Sequence, residues 1–310
     1  MTSTASPGAV GAPGQPTALN WVSVIVLGVI WGGTFTVMRV ALDGYGPITV
    51  AAARASLGAV ALLALVFAMR RPWPAPAPRT VLYLVVNGLV SVALPFMLLS
   101  WGQQFVPSAF AGLSLAAVPL FVLPLAHFFT DDTLSLRQVL GVLIGFSGPI
   151  VLIGPGLISA GAEGHVMAQV ACFSAAVFYA TASIVTRRCP PVDPIVMAAI
   201  TLCVGAVVLV PAMLAIEGVP HWAGAAPGVA IVALGLLPTA FAVLLRVVTI
   251  RSAGPVFMTL VSYQVPIWAM IFGVMFLGEA LPWRFFAALL LIIAGLLVSQ
   301  ARALHRLFFG

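Results

Sequence analysis

Arg54 is the charged residue that lies deepest inside a long apolar run of this 310-residue sequence, in AAARASLGA at 51–59. A guanidinium is charged at any physiological pH and presents a planar fork of donors that fits a carboxylate. Two roles are open to it. It is a structural cation that snorkels outward or pairs with Asp43 or with helix-end carbonyls, or it contacts the carboxylate of a bound molecule. Acid–base chemistry would need a partner at the same depth. Asp43, Asp131, Asp132, Glu163, Asp193, Glu217 and Glu279 all fall at the ends of apolar runs or between them, and His127, His165, His221 and His305 lie toward the edges. That placement argues against hydrolysis by an acid–base pair or a metal-bound water. It argues equally against proton coupling through a buried carboxylate, and against a permanently cationic drug as the preferred substrate. Cys172, Cys189 and Cys203 have no metal-ligand spacing, so neither a metal nor a cofactor is expected.

The elements that must position Arg54 follow from composition. Hydrophobic residues make up 62% of the chain and charged residues 6%, against about 25% charged in a soluble domain. Mean hydropathy is +1.19. The chain is expected to be an integral membrane protein in contact with the lipid bilayer. Its net charge of +6 comes from thirteen Arg and no Lys, single or paired at the ends of apolar runs. There is no basic stripe with interleaved aromatics, so nucleic-acid binding is not expected.

A spanning helix needs about 20 apolar residues. Ten runs qualify: 20–42, 47–69, 80–101, 106–129, 134–153, 165–186, 194–216, 225–249, 254–277 and 282–303. They do not alternate as barrel strands would, so the expected fold is all-α. With the N-terminus inside, ten Arg fall in inner segments and two, Arg39 and Arg284, in outer ones. Both termini are therefore expected in the cytoplasm. Residues 1–19, rich in Pro, Gly, Ser and Thr, lack the basic region of a secretory signal and read as a disordered tail.

The chain also repeats itself at an offset of 147 residues. VPLFVLPLAHFFTDDTLSLRQ at 118–138 echoes VPIWAMIFGVMFLGEALPWRF at 265–285, with Val118, Pro119, Phe129, Leu134 and Arg137 matching Val265, Pro266, Phe276, Leu281 and Arg284. Thr34 matches Thr181, Pro47-Ile48 matches Pro194-Ile195, Gly58-Ala59-Val60 matches Gly205-Ala206-Val207, and Gly148 matches Gly295. Each half holds five spans. Five is odd, so the second half threads the membrane in the opposite sense. The repeats are 20–153 and 165–303, with a linker at 154–164 and a cytoplasmic tail at 304–310. Inverted repeats are a transporter plan, with the substrate site near the midplane between the halves.

These residues resemble the drug/metabolite transporter superfamily and its EamA-type repeats. The resemblance is carried by WGGTF at 31–35, by AAARASLGA with its Arg54, and by FLGEALPWR at 276–284, and it covers residues 20 to 303. It is nearest to aromatic amino acid exporters. The first half departs from the pattern, with Thr130-Asp131-Asp132 where Gly-Glu is usual and Thr201 opposite Arg54. The resemblance implies a ten-helix bacterial inner-membrane protein that is not an enzyme. It implies export of small neutral or zwitterionic metabolites, aromatic and other neutral amino acids among them, by alternating access. Broad efflux of amphipathic compounds is the alternative; a membrane enzyme or a lipid-handling scaffold fits less well. A monomer is expected.

The candidate substrate contacts are the polar and aromatic residues at mid-depth: Trp31, Thr34, Asn87, Ser91, Ser114, Phe178, Tyr179, Thr181, Tyr263, Gln264 and Trp268. Thr239 lies at similar depth. Pro119 and Pro266 are candidate hinges, each expected beside a backbone break, and Arg54 is the candidate charge contact. Aromatic walls with a few amides and hydroxyls suit a ligand with an apolar body.

Overall fold

The computed structural model describes residues 16–130, 134–158 and 163–309. Among these there is no strand. Ten helices are long and apolar enough to cross a membrane: α1 Ala18–Leu42, α2 Pro47–Ala68, α3 Pro78–Gly102, α4 Ser108–Phe129, α5 Leu136–Ile153, α6 His165–Arg188, α7 Pro194–Ile216, α8 Ala225–Ile250, α9 Leu260–Leu277 and α10 Trp283–Arg302. The expected spans agree with these to within a turn at most ends. Two tails differ. The last helix continues to Phe309, so the expected cytoplasmic tail is largely its final turns. Helical backbone also enters the expected linker, to Ile158 on one side and from Glu163 on the other. Asp131 and Asp132 lie outside the described residues.

With ten spans, both termini emerge at one end of the bundle. Val60, Phe67, Ile150, Val207 and Leu290 are exposed on its sides, an apolar outer surface suited to acyl chains. Trp73, Trp101, Trp222 and Trp283 are exposed at helix ends or in the connections, where the amphipathic indole suits the headgroup region.

The two halves pack as mates. α5 lies along α10 and α2 along α7, each helix beside its own repeat counterpart. α1 lies on α9 as α6 lies on α4, and α3 meets α7 as α8 meets α2. The 147-residue offset holds down to individual contacts. Gly58 of α2 faces Thr239 of α8, and its counterpart Gly205 of α7 faces Val92 of α3, the counterpart of Thr239. Gly88 faces Val204 as Gly235 faces Leu57. An exchange of this kind is what a two-fold axis between the halves produces. The α5–α10 seam closes backbone to backbone, since a side chain on Gly295 would strike Gly141 and Gly145.

Two mated irregularities sit near that axis. α3 widens into a π-bulge over Leu89–Ala93 and α8 into another over Leu236–Phe241, again at the same offset. Both have a proline as their cause. Pro95 and Pro238 bring no N–H to the helix ladder, and their rings crowd the carbonyl four residues back. A widened turn relieves that crowding, and such bulges concentrate at functional sites. α4 is interrupted at Ala116–Ala117, just before Pro119. The counterpart expectation for α9 is corrected: the helix runs through Pro266, and the interruption falls at Thr259, with Gly254 at φ 85° marking the turn from α8.

Candidate functional site

The α8 bulge assembles the site. Leu234 has lost the N–H that Pro238 would have supplied, and its carbonyl instead accepts the Thr239 hydroxyl at 2.9 Å. With its proton committed there, Thr239 Oγ1 can only accept from other groups. It accepts Arg54 Nε at 3.1 Å. The Trp31 indole N–H donates to the carbonyl of Pro238 at 3.2 Å, so α1 is tied to the same turn. The guanidinium carbon of Arg54 lies 4.0 Å from the ring centroid of Phe96, one residue past the proline of α3. Tyr179 of α6 lies within electrostatic reach of Arg54, at the junction of the two apolar clusters built by the halves.

Arg54 is 8% exposed, which bears on the first of the two roles open to it. The side chain neither snorkels outward nor pairs with Asp43; it turns inward onto Phe96 and Thr239. No carboxylate among the described residues neutralises it. Glu217 and Glu279 spend their oxygens on backbone N–H groups, and Asp193 faces Arg71 and its own helix end. The energies do not balance. Burying a charge costs on the order of several kcal/mol after relaxation. A desolvated cation–π contact returns about 2 kcal/mol and one charged hydrogen bond about 1.5–3 kcal/mol. Among the described residues the guanidinium makes its hydrogen bond through Nε, and Nη1 and Nη2 make none.

The other candidate residues separate into groups. Thr34, Ser114 and Thr181 donate to carbonyls of their own helices, Ile30, Phe110 and Val177. Ser91 donates to the Asn87 carbonyl at 2.6 Å, at the start of the α3 bulge, while Asn87 Oδ1 is buried without a partner. The Tyr263 hydroxyl is also buried without a partner, and Phe178 is half-buried on α6. Gln264 and Trp268 occupy the α1–α9 seam, over Gly28 and Gly32, and the Trp268 ring stacks on Phe272 at 5.5 Å. The structure thus brings Trp31, Arg54 and Tyr179 together with Thr239 and leaves Gln264 and Trp268 on a neighbouring seam. Phe96 was missed, although its place one residue past an in-span proline marks it. Cys189, in the α6–α7 connection, has its thiol pushed up by burial, which keeps it a poor nucleophile. No group of His, Cys, Asp or Glu among the described residues could hold a metal ion.

At the end opposite the termini, two carboxylates join the halves. Glu217, after α7, accepts the N–H groups of Ile48 and Thr49 at 2.9 and 2.7 Å and the Thr49 hydroxyl at 2.7 Å. Glu279, after α9, accepts those of Ser108 and Ala109 at 2.6 and 3.1 Å. Both thereby cap helix N-termini that have no side-chain cap of their own, where the partial positive charge favours an anion. His165 Nδ1 meets the Phe105 carbonyl at 2.8 Å at this end. The opposite end is joined by Arg71–Asp193 at 3.4 Å and by Asn20 Nδ2 donating to Ser252 at 2.6 Å.

Comparison with known proteins agrees with this architecture. The family model described as EamA-like transporter family matches residues 19–154 and again 166–300. The uncharacterized inner membrane transporter YedA of Escherichia coli K12 is 28% identical over 84% of this chain and 83% of its own. A probable terminal-alkyne amino-acid exporter of Streptantibioticus cattleyicolor is 27% identical over 92% of this chain and 94% of its own. A solved crystal structure superposes with a TM-score of 0.64 at 21% identity, covering 94% of this chain and 99% of the other.

Proposed function

This chain belongs to the EamA-like transporter family, within the drug/metabolite transporter superfamily, and from that premise we propose that it is a secondary transporter of the bacterial inner membrane that exports small neutral or zwitterionic metabolites. Aromatic and other neutral amino acids are the substrates this reading favours. The observation that carries it is the set between the halves: one buried cation, one buried hydroxyl held as an acceptor and three aromatic rings, contributed by five helices of both repeats around the α8 bulge. A ligand with an apolar body and a small polar head matches that set. The amino-acid exporter among its relatives supports the same substrate class.

Alternating access in this reading is a rocking of the two repeats about their shared axis. The end carrying Glu217 and Glu279 is the outer end by the arginine distribution, and its carboxylate caps hold it closed over the site. Outward opening requires release of those caps, and the glycine-lined seams of α1 on α9 allow the sliding.

The test is export from cells. Producing the protein in a bacterial host that overproduces phenylalanine should raise phenylalanine in the medium and lower it in the cytoplasm relative to a host without it. Unchanged levels across a panel of neutral amino acids would overturn the proposal.

A further inference from the structure

We infer that Arg54, Phe96 and Thr239 form a subsite for the carboxylate of the substrate, so that a carboxylate group on the ligand is what this transporter selects. The inference rests on the transporter reading above and names the group that reading leaves open.

The argument is one of charge and geometry. Arg54 is buried, and no acidic side chain among the described residues pairs with it. Its Nε is fixed by Thr239, a hydroxyl whose own proton is committed to Leu234. One face of the guanidinium is covered by Phe96 at 4.0 Å. These contacts hold the plane of the fork through Nε and leave Nη1 and Nη2 without a hydrogen bond to the described residues. The pair of donors left over is the edge that a carboxylate takes in a bidentate bond. A hydrogen bond and an aromatic face orient a cation without neutralising it.

Charge decides between anions. One carboxylate cancels the charge of one guanidinium. A doubly charged phosphate would leave one negative charge unmatched by Arg54 among Phe96, Trp31 and Tyr179. The opposite repeat sharpens the point. The counterpart of Arg54 is Thr201, and that of Thr239 is Val92. The halves share a backbone but only one carries the anchor, so a ligand is held at one end and presents its apolar body to the aromatic rings.

The experiment uses the purified full chain in detergent and a panel that shares the phenylalanine side chain and differs in its charged groups: phenylalanine, N-acetylphenylalanine and phenylalaninamide. Thermal unfolding reads binding, because a ligand that binds the folded state raises the Tm. The two carboxylates should stabilise the wild type at concentrations at least about tenfold below those the amide needs, the discrimination one charge-assisted bond supplies. Arg54→Gln should bring the three to within about twofold, and Arg54→Lys should keep part of the preference. Should Arg54→Gln not fold, the wild-type comparison still decides. An amide that binds as tightly as the acids, or a panel in which neither acid binds, overturns the inference. Phenylalanine that binds in preference to its amide but is not exported would sustain the carboxylate subsite and overturn the substrate assignment. Phenylalanine exported with no preference over its amide would do the reverse.

Discussion

The carboxylate of Glu279, in the turn after α9, accepts the backbone N–H of Ser108, the first residue of α4, at 2.6 Å. Gly278 makes this reach possible: it ends α9 at φ 64° and turns the chain back toward the other half. Pro107 stands at the N-cap of α4 and has no side chain to cap it, so the cap comes from the opposite repeat. Glu217 does the same for α2. The end opposite the termini is thus joined by two helix caps exchanged between halves.

Replacing these carboxylates should loosen that end selectively. Glu279→Gln keeps one acceptor of reduced strength, and a charged hydrogen bond exceeds a neutral one by about 1 kcal/mol. Amide exchange at Ser108 and Ala109 should quicken by roughly fivefold, with Ile48 and Thr49 unaffected. Glu217→Gln should show the mirror pattern. Equal protection in variant and wild type, read by hydrogen-exchange mass spectrometry, would remove the caps from the account.

Gly58 offers a test of the Arg54–Thr239 contact that leaves both residues polar. A Cβ at position 58 would lie 2.5 Å from the Thr239 Cγ2 methyl. Gly58→Ala should therefore displace Thr239 from Arg54, costing about 1–3 kcal/mol in overpacking and most of the transport rate. Thr239→Ser removes the methyl and keeps the hydroxyl, so the double variant should recover transport. A double variant no better than Gly58→Ala alone would show that the methyl clash is not the cause.

The α1–α9 seam makes a different prediction. Trp268 and Gln264 pack over Gly32 and Gly28, between elements that must slide if the halves rock. Trp268→Ala should lower the initial rate of transport by roughly tenfold and Gln264→Ala by less, with the amount of folded protein in the membrane unchanged. Normal rates in both variants would confine these residues to packing.

Orientation is checked from outside the cell. In a background with Cys172, Cys189 and Cys203 replaced, a cysteine at His221 should be labelled by an impermeant reagent and one at Ala75 should not. Labelling at position 75 in place of 221 would invert the assignment of both ends.

Much of the architecture was legible before any coordinates. Runs of about 20 apolar residues have no other stable home than a bilayer, and the repeated Pro47, Gly58 and Gly88 positions exposed the duplication because each is fixed by backbone geometry. The sequence left two roles open for Arg54, and its partners could not be read from it for a physical reason. Nothing near it in sequence announces that Phe96 and Thr239, brought by α3 and α8, form a recess for it. The α9 interruption was placed at Pro266 because proline is the visible breaker, whereas a helix tolerates a proline when its neighbours are packed. Glu217 and Glu279 read only as loop charges, since their partners are backbone N–H groups, which no side-chain pattern records.

The most direct measurement is counterflow. Liposomes carrying the purified protein are loaded with unlabelled phenylalanine and placed in labelled phenylalanine at equal pH on both sides with no membrane potential. With no carboxylate or histidine of the described residues at the Arg54 site, the label should enter above the level of empty liposomes, with no imposed pH step required, and Arg54→Gln liposomes should take up less. Uptake that appears only when a pH step is imposed, or none above empty liposomes for any neutral amino acid, would contradict the account.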